Sequence, residues 1–160
     1  MMPRTAEART AQADRPLVRI VFALPEGEKA GTETLWAEAL DDGVFKLRNT
    51  PLYVEGVSYD DTIEALPDRG GMLVFTRVLG RGGHSTYRVM IRPELAPGQA
   101  DELRQQLLNL GASIESQTQR LFALDIPPTT SIVDAYKLLQ GGLDGGIWWF
   151  DEMHVGHPLT

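Results

Sequence analysis

The chain has 160 residues, no cysteine and a formal net charge of -7. It has room for one ordinary domain or two small ones, and it lacks disulfides, thiolate metal sites and cysteine nucleophiles. No run reaches the roughly 18 apolar residues of a spanning helix, and an acidic body repels phosphate backbones, so neither a membrane nor a nucleic acid is an expected partner.

Residues 1–16, MMPRTAEARTAQADRP, mix small, charged and polar types without the apolar core of a secretion signal. They read as a disordered arm on a cytoplasmic protein. Arg4, Arg9 and Arg15 outnumber Glu7 and Asp14 there, so the remainder is more acidic than the whole.

From 17 to 83 the text is a series of short runs rich in Val, Leu, Phe and Trp, each closed by Gly, Pro or Asp. LVRIVFAL (17–24) is followed by the polar loop EGEKAGT; then come ETLWAEAL (33–40), VFKLRN (44–49), LYVEGVSY (52–59), DTIEAL (61–66) and MLVFTRVL (72–79). About five antiparallel strands at this spacing predict a small meander or partly open barrel.

From 84 to 160 the period changes. STYRVMIR (85–92) alternates, with Tyr87, Val89 and Ile91 on one face and Arg88, Met90 and Arg92 on the other. Pro97-Gly98 opens a helix whose Ala100, Leu103, Leu107 and Leu110 recur at spacings of three and four until Gly111. SIESQTQ and RLFALDI predict a hairpin. Ser131 and Asp134 form a capping-box pattern for a second helix, with Ile132, Ala135, Tyr136 and Leu139 as its buried stripe and Gly141-Gly142 as its end. IWWFDEMHV closes the chain as a strand. The order βαββαβ is that of a ferredoxin-like unit, so the expected fold class is α+β: a small antiparallel β unit packed on a ferredoxin-like unit, linked by GRGG.

The link, GRGGHST, has the glycines of a phosphate loop but opens a strand and lacks the Gly-Lys-Ser/Thr element, so it reads as a hinge in which Gly80, Gly82 and Gly83 allow positive φ. His84 and Ser85 are neighbours on a strand and point to opposite faces, which argues against a nucleophile and its base. An acid/base pair would need His84 to meet Asp60 or Asp61 from SYDD. Asp151, His154 and His157 have a loose metal-ligand spacing that an extended strand cannot bring together without a bend at Gly156, and solvated terminal histidines are the expected reading. No metal site and no cofactor are expected. In LWAEAL, Trp36 reads as a core residue of a half-buried strand and Glu38 as solvated.

The last strand is the most informative. Reading Ile147, Trp149, Met153 and Val155 toward the helices places Trp148, Phe150, Glu152 and His154 on the opposite face, beside Arg88, Met90 and Arg92. Contiguous exposed aromatics mark a contact surface. The N-terminal unit, a second copy or another partner are its candidate covers. RNA is excluded because RLFALDI stands where the base-stacking motif would be.

TETLWAEAL, FKLRNTPLYVEGVSYDD and LVFTRVLGRGGHSTYRV together resemble a bacterial family of domains of unknown function, DUF4265, over about Val18 to Met153. The resemblance brings no established activity. It implies that these segments lie near one another around a shared cleft.

The expected function is therefore a non-catalytic binding or accessory protein for a peptide or protein partner. It would act by strand addition at a sheet edge or in the groove between the halves; a homodimer is also compatible. The candidate binding residues are Trp36, Glu38, Tyr59, Asp60, Arg81, His84, Ser85, Tyr87, Arg88, Trp148 and Phe150. The alternatives are a small enzyme using His84 with Asp60 or Asp61, and an immunity-type inhibitor of a toxin.

Overall fold

The computed structural model describes residues 6–7, 15–25 and 31–158. The expected disordered arm (1–16), apart from residues 6–7, 15 and 16, lies outside the described residues, as does most of the polar loop after Pro25. The fold is α+β and has two separate hydrophobic clusters.

The first cluster fills a barrel of β2 (Leu17–Ala23), β3 (Thr32–Asp41), β4 (Val44–Leu47), β5 (Thr62–Pro67) and β6 (Leu73–Gly80). Sequential strands pair antiparallel, and the barrel closes where β2 runs parallel to β6 through Ile20–Leu73 and Val21–Val74. Alternation sends Ile20, Phe22, Leu35, Ala37, Phe45, Leu47, Ile63 and Ala65 inward. Burying each of the larger side chains stabilises the fold by about 1.5–3 kcal/mol.

The second cluster lies between a sheet and two helices. The elements are β7 (Ser85–Ile91), a 3₁₀ turn (Pro97–Ala100) leading into α1 (Asp101–Leu110), β8 (Ser113–Ser116), β9 (Leu121–Ile126), α2 (Ile132–Asp144) and β10 (Trp148–His154). Their order in the sheet is β8-β9-β7-β10, antiparallel throughout, which is the expected split βαβ arrangement. A two-residue strand, β1 (Ala6–Glu7), extends the sheet beyond β8 by pairing with Glu115 and Ile114. Gly111 ends α1 in the left-handed region at φ 112°, and the Ser131 hydroxyl caps α2 by accepting from the Asp134 N–H at 3.1 Å. Among the described residues, no helix is long and apolar enough to cross a membrane.

Three expectations are corrected. Residues 52–59 form no strand, because the Glu33 carboxylate gathers the N–H groups of Leu52, Tyr53 and Val54 at 2.8, 3.0 and 2.9 Å and turns them away from any ladder. Gly141-Gly142 does not stop α2, which runs on to Asp144. Gly142 faces the core, where a Cβ would overlap the indole of Trp148, so the buried stripe is Ile132, Ala135, Leu139 and Gly142, while Tyr136 stays 43% exposed. The phase of the last strand is also inverted: Trp148 is fully buried against the helices and its Nε1–H donates to the Leu139 carbonyl at 2.9 Å. Alternation fixes that neighbours differ in face but not which face is inside; the slot left by Gly142 decides it.

Candidate functional site

Strand pairing builds the sheet face away from the helices. Ser113, Asp125 and Thr86 lie side by side across β8, β9 and β7, as do Glu115, Ala123, Arg88 and Asp151 when β10 is included, and then Leu121, Met90 and Trp149. Segment 49–61 of the barrel unit covers the first two rows. Glu115, fully buried, accepts from the Asn49 amide at 2.7 Å and the Thr50 N–H at 2.8 Å. The Ser58 and Thr86 hydroxyls share a hydrogen bond of 2.6 Å, and the Gly56 N–H donates to the Met153 carbonyl at 3.1 Å. The seam between the two clusters is polar and hydrogen-bonded, unlike the cores on either side.

The glycine link runs along this seam and is held at Arg81 and Gly82, which corrects the hinge reading; of its glycines Gly83 takes the expected positive φ, at 87°, and Gly80 and Gly82 do not. Arg81 donates to the Gly56 carbonyl at 2.6 Å and to Asp61 at 3.0 Å; the Gly82 N–H donates to the same carboxylate at 2.9 Å. Asp61 also holds the Ser58 N–H, which closes the GVSYDD turn on the link. Asp60 sits at φ 73° with Gly82 so close that a Cβ there would lie 2.7 Å from its carbonyl oxygen, so glycine is required for close approach rather than for motion. GVSYDD and GHSTYR therefore lie against each other.

The candidate residues divide into two groups. Glu38, Arg48 and Asp60 form a chain of ion pairs at 2.9 and 2.7 Å. Arg48 lies 5.7 Å from the Tyr59 ring, and that ring lies 5.3 Å from the His84 imidazole. Glu38 is thus paired as well as part-buried, and Trp36, on the same strand, donates its N–H to Asn49 at 2.7 Å on the outer barrel surface. His84 hydrogen-bonds Asp125, with Nδ1 2.8 Å from the carboxylate, and neither Asp60 nor Asp61 is its partner. Sequence spacing could not find Asp125, which reaches His84 only through the pairing of β7 with β9.

Ser85 faces the other way, as alternation requires, and meets a residue that sequence reasoning left in solvent. His157 is buried: its Nδ1 accepts from the Ser85 hydroxyl at 2.6 Å, and its Nε2–H faces the carbonyls of Pro127 and Thr130 at 2.9 and 3.1 Å. Ser85 in turn accepts the Gly156 N–H at 2.9 Å. This arrangement ties the tail to the sheet and leaves the hydroxyl no exposure. The expected solvated terminal histidine is a clasp.

The second group surrounds β10. Tyr87 donates to Glu152 at 3.2 Å, and burial, reinforced by the Glu152 charge, holds its phenol well above the ordinary tyrosine range. Phe150 packs edge-on against Tyr87 and Tyr136, at 6.1 and 5.7 Å. Trp148 is a core residue and takes no part in an exposed surface. Trp149 takes its place there: it is 45% exposed, lies 4.9 Å from the Arg92 guanidinium and shares its face with Arg88, which pairs with Asp151 at 2.8 Å. Beyond β10 there is no further strand among the described residues. The Arg92 N–H donates to the Ile147 carbonyl, so residues 147, 149 and 151 turn their main-chain groups toward β7. Trp148, Phe150 and Glu152 turn theirs outward. An apolar groove of about 320 Å³ lies on one side of this edge, lined by Tyr53, Arg88, Met90, Leu121, Trp149 and Asp151. Another, of about 370 Å³, lies on the helix side, lined by Tyr87, Ile132, Val133, Tyr136, Lys137 and Glu152.

His154, at the far end of β10, is held below the ordinary histidine value by burial and by the Arg81 cation, against the opposing pull of Asp61. An imidazole depressed in the folded state supports folding above its unfolded value, about 6.5, and that support is lost as pH falls through the folded value. Between neutral pH and about pH 5 the thermal midpoint of the wild type should therefore fall more steeply than that of His154→Asn. Parallel curves for the two proteins would refute this.

A family model described as "Domain of unknown function (DUF4265)" matches residues 33–150. No curated protein matches the chain. A solved structure described as a hypothetical protein from Neisseria gonorrhoeae is similar at a TM-score of 0.72 and 15% identity, covering 92% of this chain and 100% of that one; at this identity the likeness is one of fold.

Proposed function

Since the chain belongs to the DUF4265 family, described only as a domain of unknown function, we propose from its own geometry that it is a cytoplasmic binding or accessory protein that recognises an extended segment of another protein by strand addition at β10. The observation that carries the reading is the open edge at Trp148–Glu152. It presents alternate main-chain donors and acceptors outward and has an apolar groove on each face. In strand addition, main-chain hydrogen bonds supply affinity and the pockets beside alternate side chains supply specificity. The opposite edge of the same sheet already takes a short added strand, because Ala6–Glu7 pairs with β8. Exposed edges are normally blunted by a covering element or by charge; among the described residues β10 has a cover only at Met153, where Gly56 meets it.

Proline at an outward-facing position removes one ladder donor without disturbing the inner pairing. Glu152→Pro should therefore weaken capture of extended peptides at least about tenfold. It also takes the acceptor from the buried Tyr87 hydroxyl, a stability cost of about 1–3 kcal/mol that Glu152→Ala shares while keeping the N–H, so the proline variant should lose binding and the alanine variant should not. A displayed peptide library selected on the wild type and re-measured on both variants checks this. Enrichment of no peptide above background, or equal binding by the wild type and the proline variant, would remove the proposal.

A further inference from the structure

Resting on that reading, we infer that in the absence of a ligand the edge is closed by a second copy of this chain: two β10 strands pair antiparallel about a two-fold axis at Phe150, and this dimer competes with capture of a foreign segment. The first observation is the depth of the uncovered surface. Val133, Tyr136 and Leu143 are 59%, 43% and 37% exposed, and each follows by one position a member of the buried stripe Ile132, Ala135 and Gly142. With Gln140 they form a second stripe about 100° around α2. The helix-side groove places Val133 and Tyr136 toward Glu152, and Gly142, next to Leu143, meets Trp148. The stripe therefore follows the edge from one end to the other. A bound peptide strand fills the sheet layer only, whereas a second copy brings a helix as well.

The strand's own chemistry selects the register. Trp148, Phe150 and Glu152 turn their main-chain groups outward, so the hydrogen-bonded pairs of a two-fold ladder are drawn from these residues. An axis at Asp151 sets that carboxylate directly opposite itself, and like charges there destabilise pairing. An axis at Trp149 carries the ladder into Gly146, which precedes the strand at φ 71°. An axis at Phe150 joins Phe150 to itself and Trp148 of one copy to Glu152 of the other, and it places Asp151 opposite Trp149. No two carboxylates then face each other.

The same axis sets the helices at packing distance. Ile132 and Tyr136 of α2 line one groove with Tyr87 of β7 and Glu152 of β10, so α2 straddles those two strands. It thus sits about half a strand spacing inside β10, and the axis lies about half a spacing outside. The two copies of α2 come about 10 Å apart, within the usual range of packed helices. They run antiparallel, with Val133 of each copy against Leu143 of the other and Tyr136 near the axis. Charge is no obstacle, because Lys137 and Glu152 border the groove together and Arg88 holds Asp151 at 2.8 Å. The seven residues of β10 make an edge about 24 Å long. Two layers deep, its footprint of roughly 500 Å² falls short of the roughly 800 Å² per partner of a stable interface, so the pair exchanges and a ligand can enter.

The test uses the full-length protein. With a Kd of about 10 μM, light scattering should give mostly monomer at about 1 μM and mostly dimer at about 100 μM. Hydrogen exchange at the Trp148, Phe150 and Glu152 N–H groups should slow about fourfold over the same range. Leu143→Lys, whose contact is the other copy's helix, should weaken the dimer at least about tenfold and leave peptide capture unchanged. Glu152→Pro should abolish both, and Glu152→Ala, which keeps the N–H, neither. A peptide selected from the library should turn the dimer into monomer. A monomer at every concentration that still captures peptides would overturn the inference and leave strand addition standing. So would a dimer whose edge N–H groups stay fast, or one that takes peptide without dissociating. A dimer through this edge with no peptide enriched would remove the foreign segment and keep the pairing, and a monomer that captures nothing would overturn both.

Discussion

Replacing Glu115 with alanine should lower the stability of the protein by about 3 kcal/mol and its thermal midpoint by roughly 6–12 °C. The carboxylate is fully buried on β8 and accepts the Asn49 amide and the Thr50 N–H, both from the barrel unit. Asn49 in turn accepts the Trp36 N–H at 2.7 Å, so one side chain of the sheet organises the loop that carries the rest of the seam. Alanine leaves buried donors without an acceptor, and each costs about 1–3 kcal/mol. Glu115→Gln keeps one acceptor oxygen and should fall between the two. Calorimetry of the three proteins checks the order. Equal midpoints for Glu115→Ala and wild type would mean that water replaces the carboxylate without loss and that the seam contributes little.

Gly142→Ala should cost about 3 kcal/mol, at the upper end of overpacking effects, although in an exposed helix the same change stabilises by about 1 kcal/mol. The sign reverses because the added methyl would overlap the indole of Trp148, which is fully buried and is held by its bond to Leu139. Neither the helix backbone nor the central ring can yield without opening the second core. Trp148→Phe supplies a discriminating partner: the smaller ring vacates part of the slot, so alanine at 142 should be less harmful in that background than in the wild type. Additive losses in the double variant would show that Gly142 is needed for another reason. A shift of Trp fluorescence in Gly142→Ala would report the displaced indole directly, after allowance for Trp36 and Trp149.

Much of the architecture was legible because periodicity reports it. The change from short turn-bounded runs to alternation and helical spacing separated barrel from sheet, and Gly111 and Ser131 marked helix ends with their own chemistry. The failures have a common cause. LYVEGVSY has the composition of a strand, but Glu33, nineteen or more positions earlier, binds its N–H groups. Gly141-Gly142 has the composition of a stop, but Trp148 needs the space. Each signal is local, and each outcome was set by a side chain from elsewhere. The candidate site shows the same limit: alternation set Tyr87 and Arg88 on opposite faces, as they are, whereas Trp149 was assigned to the core and Phe150 to the face away from the helices, each the reverse of its place, because the phase of one strand has no local mark. The spacing that singled out His157 pointed to a metal and not to Ser85, and Asp125 carried no sequence signal beyond its residue type. Their roles arise from pairings 72 and 41 positions apart.

The polar seam has a consequence for any attempt at dissection. An excised C-terminal half would carry Glu115 and Asp125 on a face with no lid, and an excised barrel would leave Asn49 and Thr50 without the oxygens that orient them. Each half has an oily interior of its own, so it retains a reason to collapse, but it loses the counterpart that gives its inner surface one arrangement. Cutting at the glycines should therefore yield two fragments that are compact yet poorly ordered apart, and that recover sharp spectra only when mixed.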